Sequence, residues 1–293
     1  MEINRRDFLR FAGSAAAVLG LSAAQLRRAE DALAATESPP VIWLSGSSCT
    51  GCTVSLLNAV NPTIDQVLLN HISLKYHPQL STAAGALAVS SISSTRAAGG
   101  YVLVVEGAIP TAAGGKYCYV WDDKGVPVTM ASAVQSLAAN AAYLVAVGAC
   151  ASYGGIPGAN SLTGSQGLGR FTGRGVINLP GCPAHPEWVV GTLVQVLGGS
   201  MPALDSNGRP SALYKSSQSL QERCPRRGGQ EAHQFGLDGA CLQELGCQGP
   251  RSHCDCDTRL WNNKQGYCIG VNGLCIGCTE PSFPAFPLHT NGD

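Results

Sequence analysis

Thirteen cysteines stand in this 293-residue chain, and four of them form two tight turns: Cys49-Thr50-Gly51-Cys52 near the start and Cys275-Ile276-Gly277-Cys278 near the end. A C-x-x-C turn puts two soft thiolates on one side of a loop, which suits adjacent corners of an iron–sulfur cluster. Between the pairs lie Cys150, Cys182, Cys224, Cys241, Cys247, Cys256 and Cys268, in Gly- and Pro-rich surroundings. Eleven thiols in this arrangement are too many for one catalytic nucleophile. Disulfides are the other use an exported chain makes of many cysteines. Against them, thirteen is odd, and a loop as short as C-x-x-C gains little from closure. Disulfide scaffolds also tend to be small, whereas 45% hydrophobic residues over this length suffice for a conventional core. Zinc ribbons account for the two C-x-x-C pairs and leave the other seven unexplained.

After the first 34 residues the chain alternates between strand-like and helix-like stretches. Continuous apolar runs occur at Val41–Leu44, Ile72–Tyr76, Tyr101–Val105, Tyr143–Val147 and Val176–Leu179, as expected of parallel strands covered on both faces. Helical stretches between them include Val54–Leu69 and Ala131–Ala139. The expectation is an α/β fold, a flavodoxin-like doubly wound parallel sheet, over residues 35–200. Cys49 and Cys52 follow the first of these strands, Cys150 the fourth and Cys182 the fifth. All four therefore fall past carboxyl ends of strands, where open α/β sheets bind ligands, and their convergence predicts one [4Fe–4S] cluster. Glu106-Gly107-Ala108-Ile109-Pro110, after the third strand, faces the same crevice. A phosphate loop at Gly46–Gly51 is disfavoured because the Lys of a Walker motif is missing. From about Met201 the periodicity fades, and eight cysteines crowd into Cys224–Cys278. Residues 201–293 read as an irregular Cys-rich iron–sulfur domain that folds around its metal.

Charged residues make up only 13% and the formal net charge is zero, which disfavours nucleic acid and anionic membranes as partners. Residues 1–34 read as an export signal. Asn4-Arg5-Arg6-Asp7-Phe8-Leu9 has the twin-arginine form, an uncharged stretch runs from Phe11 to Leu26, and Ala32-Leu33-Ala34 offers a cleavage site. No later segment is long and apolar enough to span a bilayer. The mature protein is expected in the periplasm, with no membrane span of its own.

Taken together, these motifs resemble the small, electron-transferring subunit of periplasmic nickel–iron and nickel–iron–selenium hydrogenases. The marks are Cys49–Cys52, Glu106 to Pro110, Gly148-Ala149-Cys150 through Gly154-Gly155, Pro180-Gly181-Cys182-Pro183, Cys224-Pro225-Arg226, Glu244-Leu245-Gly246-Cys247, and Cys275 to Cys278 ahead of Glu280-Pro281. The resemblance covers nearly everything from Pro40 to Phe286. It implies a heterodimer in which hydrogen is cleaved at a nickel–iron site in the large subunit, and no catalytic residue lies in this chain. Electrons would leave through three iron–sulfur clusters to a c-type cytochrome or another periplasmic acceptor.

Carried over position by position, Cys49, Cys52, Cys150 and Cys182 would hold the proximal cluster. Cys224, Cys241 and Cys247 match the distal cluster, and Cys256, Cys275 and Cys278 the medial one. Many relatives have Pro at the position of Cys268; a thiol there implies a four-iron medial cluster, so that all three are [4Fe–4S]. The family's remaining distal ligand, a His, is replaced by Gln221, and carboxamide is a poorer iron ligand than imidazole. Gln221, a displaced residue such as His233, or a missing iron are the alternatives at that corner. Gly51 and Gly155 occupy positions where oxygen-tolerant relatives add cysteines, which implies an ordinary proximal cubane. Cys118 and Cys254 match no ligand and read as structural. Arg223, Arg226 and Arg227 offer a positive surface for steering a redox partner. Three rivals are weaker. A free-standing ferredoxin-like carrier has no need of the α/β half, and hydrogen sensors of this fold stay in the cytoplasm. The related quinone-reductase subunit lacks the Cys-rich second half.

Overall fold

The computed structural model describes residues 39–284 except His71, Ser161 and Ser216, so the export signal lies outside the described residues. Five strands form one parallel sheet: β1 (Pro40–Ser45), β2 (Ser73–Tyr76), β3 (Val102–Glu106), β6 (Tyr143–Val147) and β7 (Ile177–Leu179), in the order β2-β1-β3-β6-β7. That is the flavodoxin-like order, with the switch point between β1 and β3. Val41 pairs with Val102, Val102 with Tyr143, and Val145 with Ile177, which holds the carboxyl ends level along one edge. Inserted between β3 and β6 is an antiparallel hairpin, β4 (Tyr119–Asp123) and β5 (Val126–Thr129). Its two loop residues, Lys124 and Gly125, both have positive φ, the geometry that a right-twisted two-residue hairpin demands.

Period-two alternation sends each central strand's residues to two separate cores, so the strands read as unbroken apolar runs. Val41, Trp43, Val102, Val104, Val145, Val147, Ile177 and Leu179 face one side. They meet α1 (Gly51–Leu57) and α8 (Pro186–Leu197), whose Trp188, Val189 and Leu193 are almost fully buried. Ile42, Leu44, Leu103, Val105, Leu144 and Ala146 face the other side, against α3 (Ala86–Ala98) and α4 (Met130–Ala138). Local signals start the helices. The Thr129 hydroxyl accepts from Ser132 N at 3.2 Å ahead of α4, and α8 opens with Pro186 behind the capping His185.

The helix expected over Val54–Leu69 is two helices. The first ends at Leu57 and the second, α2 (Ile64–Asn70), starts past a turn containing Pro62. Proline has no N–H to donate and disfavours helical backbone at the residue before it, so the apolar spacing could not run through. Three short helices follow β6: α5 (Gly148–Tyr153), α6 (Gly155–Gly158) and α7 (Leu168–Thr172).

Past α8 regular structure is sparse: single 3-10 turns at Gln221–Arg223 and Gly249–Arg251, and α9 (Cys256–Arg259). This half is less coreless than its composition suggests. Leu213, Tyr214, Leu220, Tyr267 and Ile269 join the core that also holds α8, while Ala232, Ala240 and Leu242 form a small cluster of their own. Fully burying one side chain of the Leu or Ile size stabilises by about 1.5–3 kcal/mol. Buried ion pairs add fixed points. Arg209, 2% exposed, bonds Asp205 at 2.8 Å, Glu280 at 3.1 Å and the Thr279 carbonyl at 2.9 Å. Arg259 bridges Asp255 and Glu187, and Asp255 also accepts from Trp188 Nε1 at 2.8 Å.

Candidate iron–sulfur centres

At the carboxyl edge of the sheet the loops after β1 and β3 are zipped together. Gly46 N donates to the Glu106 carbonyl at 2.8 Å, and Ser47 and Ala108 exchange backbone bonds at 2.9 and 3.1 Å. The loops after β6 and β7 are joined by Ala149 N donating to the Gly181 carbonyl at 2.8 Å. These ties bring four sequence-distant cysteines to one crevice. Cys52 is buried in the first turn of α1, its sulfur accepting from Ala184 N at 3.5 Å, and Cys49 is exposed at the rim. Gly148 has positive φ, and a β-carbon there would lie 2.5 Å from the Cys52 sulfur. At Gly155 it would lie 2.9 Å from the Cys150 sulfur. Both glycines leave the thiols room that no other residue would.

Below this crevice Glu106, 1% exposed, accepts from Cys52 N at 3.1 Å, Thr53 N at 3.3 Å and Trp43 Nε1 at 3.4 Å, and from the Thr53 hydroxyl. The carboxylate thus fixes the start of α1. The four thiols sense one another electrostatically. Burial, above all, drives Cys52 far above the usual thiol pKa, with Glu106, Cys150 and Cys182 adding to the rise. Cys150 is pushed up to about 11 by burial, then by Cys182, Cys49 and Glu106. Burial and Cys49 raise Cys182. Thiols this reluctant to ionise alone become thiolates when a metal replaces the proton.

A second group forms where α9 meets the C-terminal turn. Cys278 is driven well up by burial, with Cys275, Cys254 and Cys268 contributing, while the Cys182 N–H bonded to its sulfur opposes the rise. Cys275 is pushed up to about 12 by burial, against the Ser252 hydroxyl, 3.2 Å from its sulfur, and the Gly277 N–H. Cys256 is raised by a hydrogen bond with the Cys254 thiol and then by burial. Cys268 is exposed as a residue, yet its thiol is enclosed enough for burial to raise it, with Cys254 and Cys247 nearby.

The third group lines one small cavity: Gln221, Cys224, Cys241 and Cys247, with Leu242, Gln243 and Ile269. The Gln221 amide nitrogen donates to Gln243 Oε1. His233 is exposed and is not among the lining residues. Arg226 N donates to the Cys224 sulfur at 3.4 Å.

The positive surface expected of the three arginines needs correction. Arg226 is buried, its guanidinium bonded to the Ile269 carbonyl at 2.7 Å and Asn272 Oδ1 at 2.8 Å, because the chain here leaves carbonyls facing inward. Arg223 pairs with Asp257 at 2.7 Å. Only Arg227 of the three is exposed. Two features escape a reading of the sequence: the cap that Glu106 forms, and Cys254, which lies among the second group. The spacing Cys254-Asp255-Cys256 is the available signal for the latter.

All thirteen cysteines are free thiols. Among the described residues no three Cys, His, Asp or Glu side chains converge on a point that would hold one metal ion. Thiol donors with N–H groups aimed at their sulfurs, at 3.3–3.5 Å where backbone bonds are seen, fit iron–sulfur groups. A cleft of about 860 Å³ between Tyr76, His77, α3 and Trp121 is lined by no cysteine and plays no part in these groups.

Comparison with known proteins agrees with this geometry. Residues 49–196 match the family described as NADH ubiquinone oxidoreductase, 20 Kd subunit. Residues 217–288 match the family described as the C-terminal part of the NiFe/NiFeSe hydrogenase small subunit. The periplasmic [NiFeSe] hydrogenase small subunit of Desulfomicrobium baculatum is 40% identical, covering 97% of both chains. The periplasmic [NiFe] hydrogenase small subunit of Solidesulfovibrio fructosivorans is 35% identical over 96% of this chain and 90% of that one. The solved [NiFeSe] hydrogenase of Desulfovibrio vulgaris Hildenborough superposes with TM-score 0.79 at 38% identity, over 85% of this chain and 96% of that one. No helix among the described residues is long and apolar enough to cross a membrane. A sheet edge shared with the quinone-oxidoreductase subunit and a Cys-rich tail shared with hydrogenases together make this chain a member of the NiFe/NiFeSe hydrogenase small-subunit family, the iron–sulfur, electron-transferring partner of a hydrogenase large subunit.

Proposed function

We propose that this chain relays electrons from hydrogen oxidation in the large subunit to a periplasmic acceptor, such as a c-type cytochrome, along three [4Fe–4S] clusters in a row. Cys49, Cys52, Cys150 and Cys182 hold the proximal cluster, and Cys256, Cys268, Cys275 and Cys278 the medial one. Cys224, Cys241 and Cys247 hold the distal cluster, with Gln221 the nearest candidate for its fourth corner. Each cluster, when bound, takes up and releases one electron.

The observation that carries this reading is a pair of N–H···S contacts. Cys275 N of the second group donates to the Cys247 sulfur of the third at 3.3 Å, and the Cys182 N–H of the first lies near enough to the Cys278 sulfur of the second to oppose the rise that burial gives that thiol. Each group thus neighbours the next, in the order a relay needs. The chain's own residues set the potentials. N–H and O–H donors on the thiolates favour the reduced state, and the buried Glu106 charge beneath Cys52 opposes it. At the proximal end Cys49 is exposed, close in sequence to the exposed apolar Val54, Leu57 and Val60. That face suits an obligate interface with the large subunit.

Export by the twin-arginine pathway follows from Arg5-Arg6 and is supported by the periplasmic relatives. We divide the chain into residues 1–34, 35–200 and 201–293; that the two family matches, 49–196 and 217–288, each fall inside one of the last two parts supports their separation. The test is to purify the exported heterodimer, count iron and nickel, and record electron paramagnetic resonance. About twelve irons outside the nickel–iron site are expected from three four-iron clusters. A dominant oxidised [3Fe–4S] signal would remove the role given to Cys268, and zinc in colourless protein would remove the whole reading.

A further inference from the structure

Tyr214 stands at a junction that ties the first thiol group to the second. It is fully buried and packs in the same core as Trp188, Leu193 and Cys275. Its hydroxyl donates to the Pro180 carbonyl at 2.8 Å, two residues before Cys182. Its ring meets two residues, and each of them holds one flank of the second group. The Arg209 guanidinium carbon lies 5.3 Å from the ring centroid, and Arg209 Nη1 donates at 2.9 Å to the carbonyl of Thr279, the neighbour of Cys278. The Trp188 ring lies 5.0 Å away, and its Nε1 donates at 2.8 Å to Asp255, the neighbour of Cys256. A phenol joins an apolar ring to one polar tip, so it fills a core and still fixes a backbone atom. None of these ties involves a cysteine side chain. The loop of Cys182, the turn of Cys278 and the start of α9 are therefore joined through one stiff side chain.

Resting on the assignment of Cys182 to the proximal cluster and of Cys256 and Cys278 to the medial one, we propose that Tyr214 is a positioning residue for electron transfer, setting the spacing between those two clusters. Close-packed interiors transmit a small displacement rather than absorb it, so a tie lost here moves the ligand loops. One electron at a time crosses that gap, with no proton, and the rate of crossing falls steeply as the gap widens.

The experiment compares purified heterodimers carrying Tyr214→Phe, or Leu193→Ala as a packing control, with the unaltered protein. Iron is counted, and hydrogen-reduced samples are examined by electron paramagnetic resonance for the splitting that the proximal and medial clusters impose on each other. Tyr214→Phe keeps the ring and deletes only the bond to Pro180. Expected are full iron, an unchanged distal signal, a narrowed proximal–medial splitting and a several-fold slower oxidation of hydrogen at unchanged KM. Leu193→Ala opens the same core without removing a hydrogen bond and should leave the splitting in place. Should Tyr214→Phe fail to assemble, Arg209→Lys keeps the charge beside Asp205, gives up the forked reach to Thr279 and is read the same way. An unmoved splitting at full iron overturns the inference, and so does an equal change in Leu193→Ala, which would reduce Tyr214 to packing. Loss of medial iron from Tyr214→Phe overturns it too, because the residue would then hold ligands rather than space clusters. Should the unaltered heterodimer itself lack two interacting clusters, the ligand assignment fails instead, so the two failures are distinguishable.

Discussion

The proximal thiols and the seven proposed ligands behind them are held by different means. At the sheet edge, position comes from the backbone: strand ends in register, zipped loops, and glycines at Gly148 and Gly155 where a β-carbon would strike a sulfur. In the tail, position comes from buried side-chain charge: Arg209 with Asp205 and Glu280, Arg259 with Asp255 and Glu187, Arg223 with Asp257. The first arrangement rests on strand register and loop hydrogen bonds. The second needs its ion pairs intact, and it gains further from the metal. One half of the molecule is a scaffold that offers ligands; the other is a ligand set that borrows a scaffold.

The largest effect should come from breaking the tail's anchor. Arg209→Met strands Asp205 and Glu280 as buried charges, at a cost of about 3–5 kcal/mol. The expected outcome is a heterodimer with medial and distal iron depleted and proximal iron kept, read by iron count and paramagnetic resonance. Loss of all three clusters together would erase the distinction between the halves. Gly148→Ala is the converse: its φ of 89° and a β-carbon 2.5 Å from the Cys52 sulfur predict about 1–3 kcal/mol of strain and loss of proximal iron alone.

Glu106→Gln sharpens the comparison within the first half. The amide keeps the shape but accepts fewer of the bonds from Cys52 N, Thr53 and Trp43, costing about 1–3 kcal/mol. Removing the charge beneath Cys52 should also raise the proximal potential, measured by redox titration. The smallest effect on stability belongs to Gln221→His. It should leave the melting temperature in place while changing the distal spectrum and potential, since imidazole binds iron better than carboxamide. An unchanged distal signal would place the fourth corner elsewhere.

The sheet was legible because strands buried on both faces give unbroken apolar runs, and the four proximal cysteines followed from their places after those strands. Pro62 interrupted a helix that apolar spacing alone drew as continuous. Arg226 looked like surface charge because composition does not tell a solvated guanidinium from one that satisfies inward-facing carbonyls such as Ile269. Cys254 matched no ligand position, and its place two residues before Cys256 was the one hint that it lies among the second group. The tail's order depends on contacts between residues tens of positions apart, such as Arg209 with Glu280, which leave no periodic trace in sequence.

The central claim is a row of metal clusters, and anomalous diffraction at the iron absorption edge from crystals of the heterodimer tests it directly. The account predicts three separate iron peaks in this subunit: one in the crevice of Cys52 and Cys150, one beside Cys275 and Cys278, and one in the cavity of Cys224, Cys241 and Cys247, with the second lying between the other two. Iron at the sheet edge alone, with tail sulfurs bonded to each other, would contradict it.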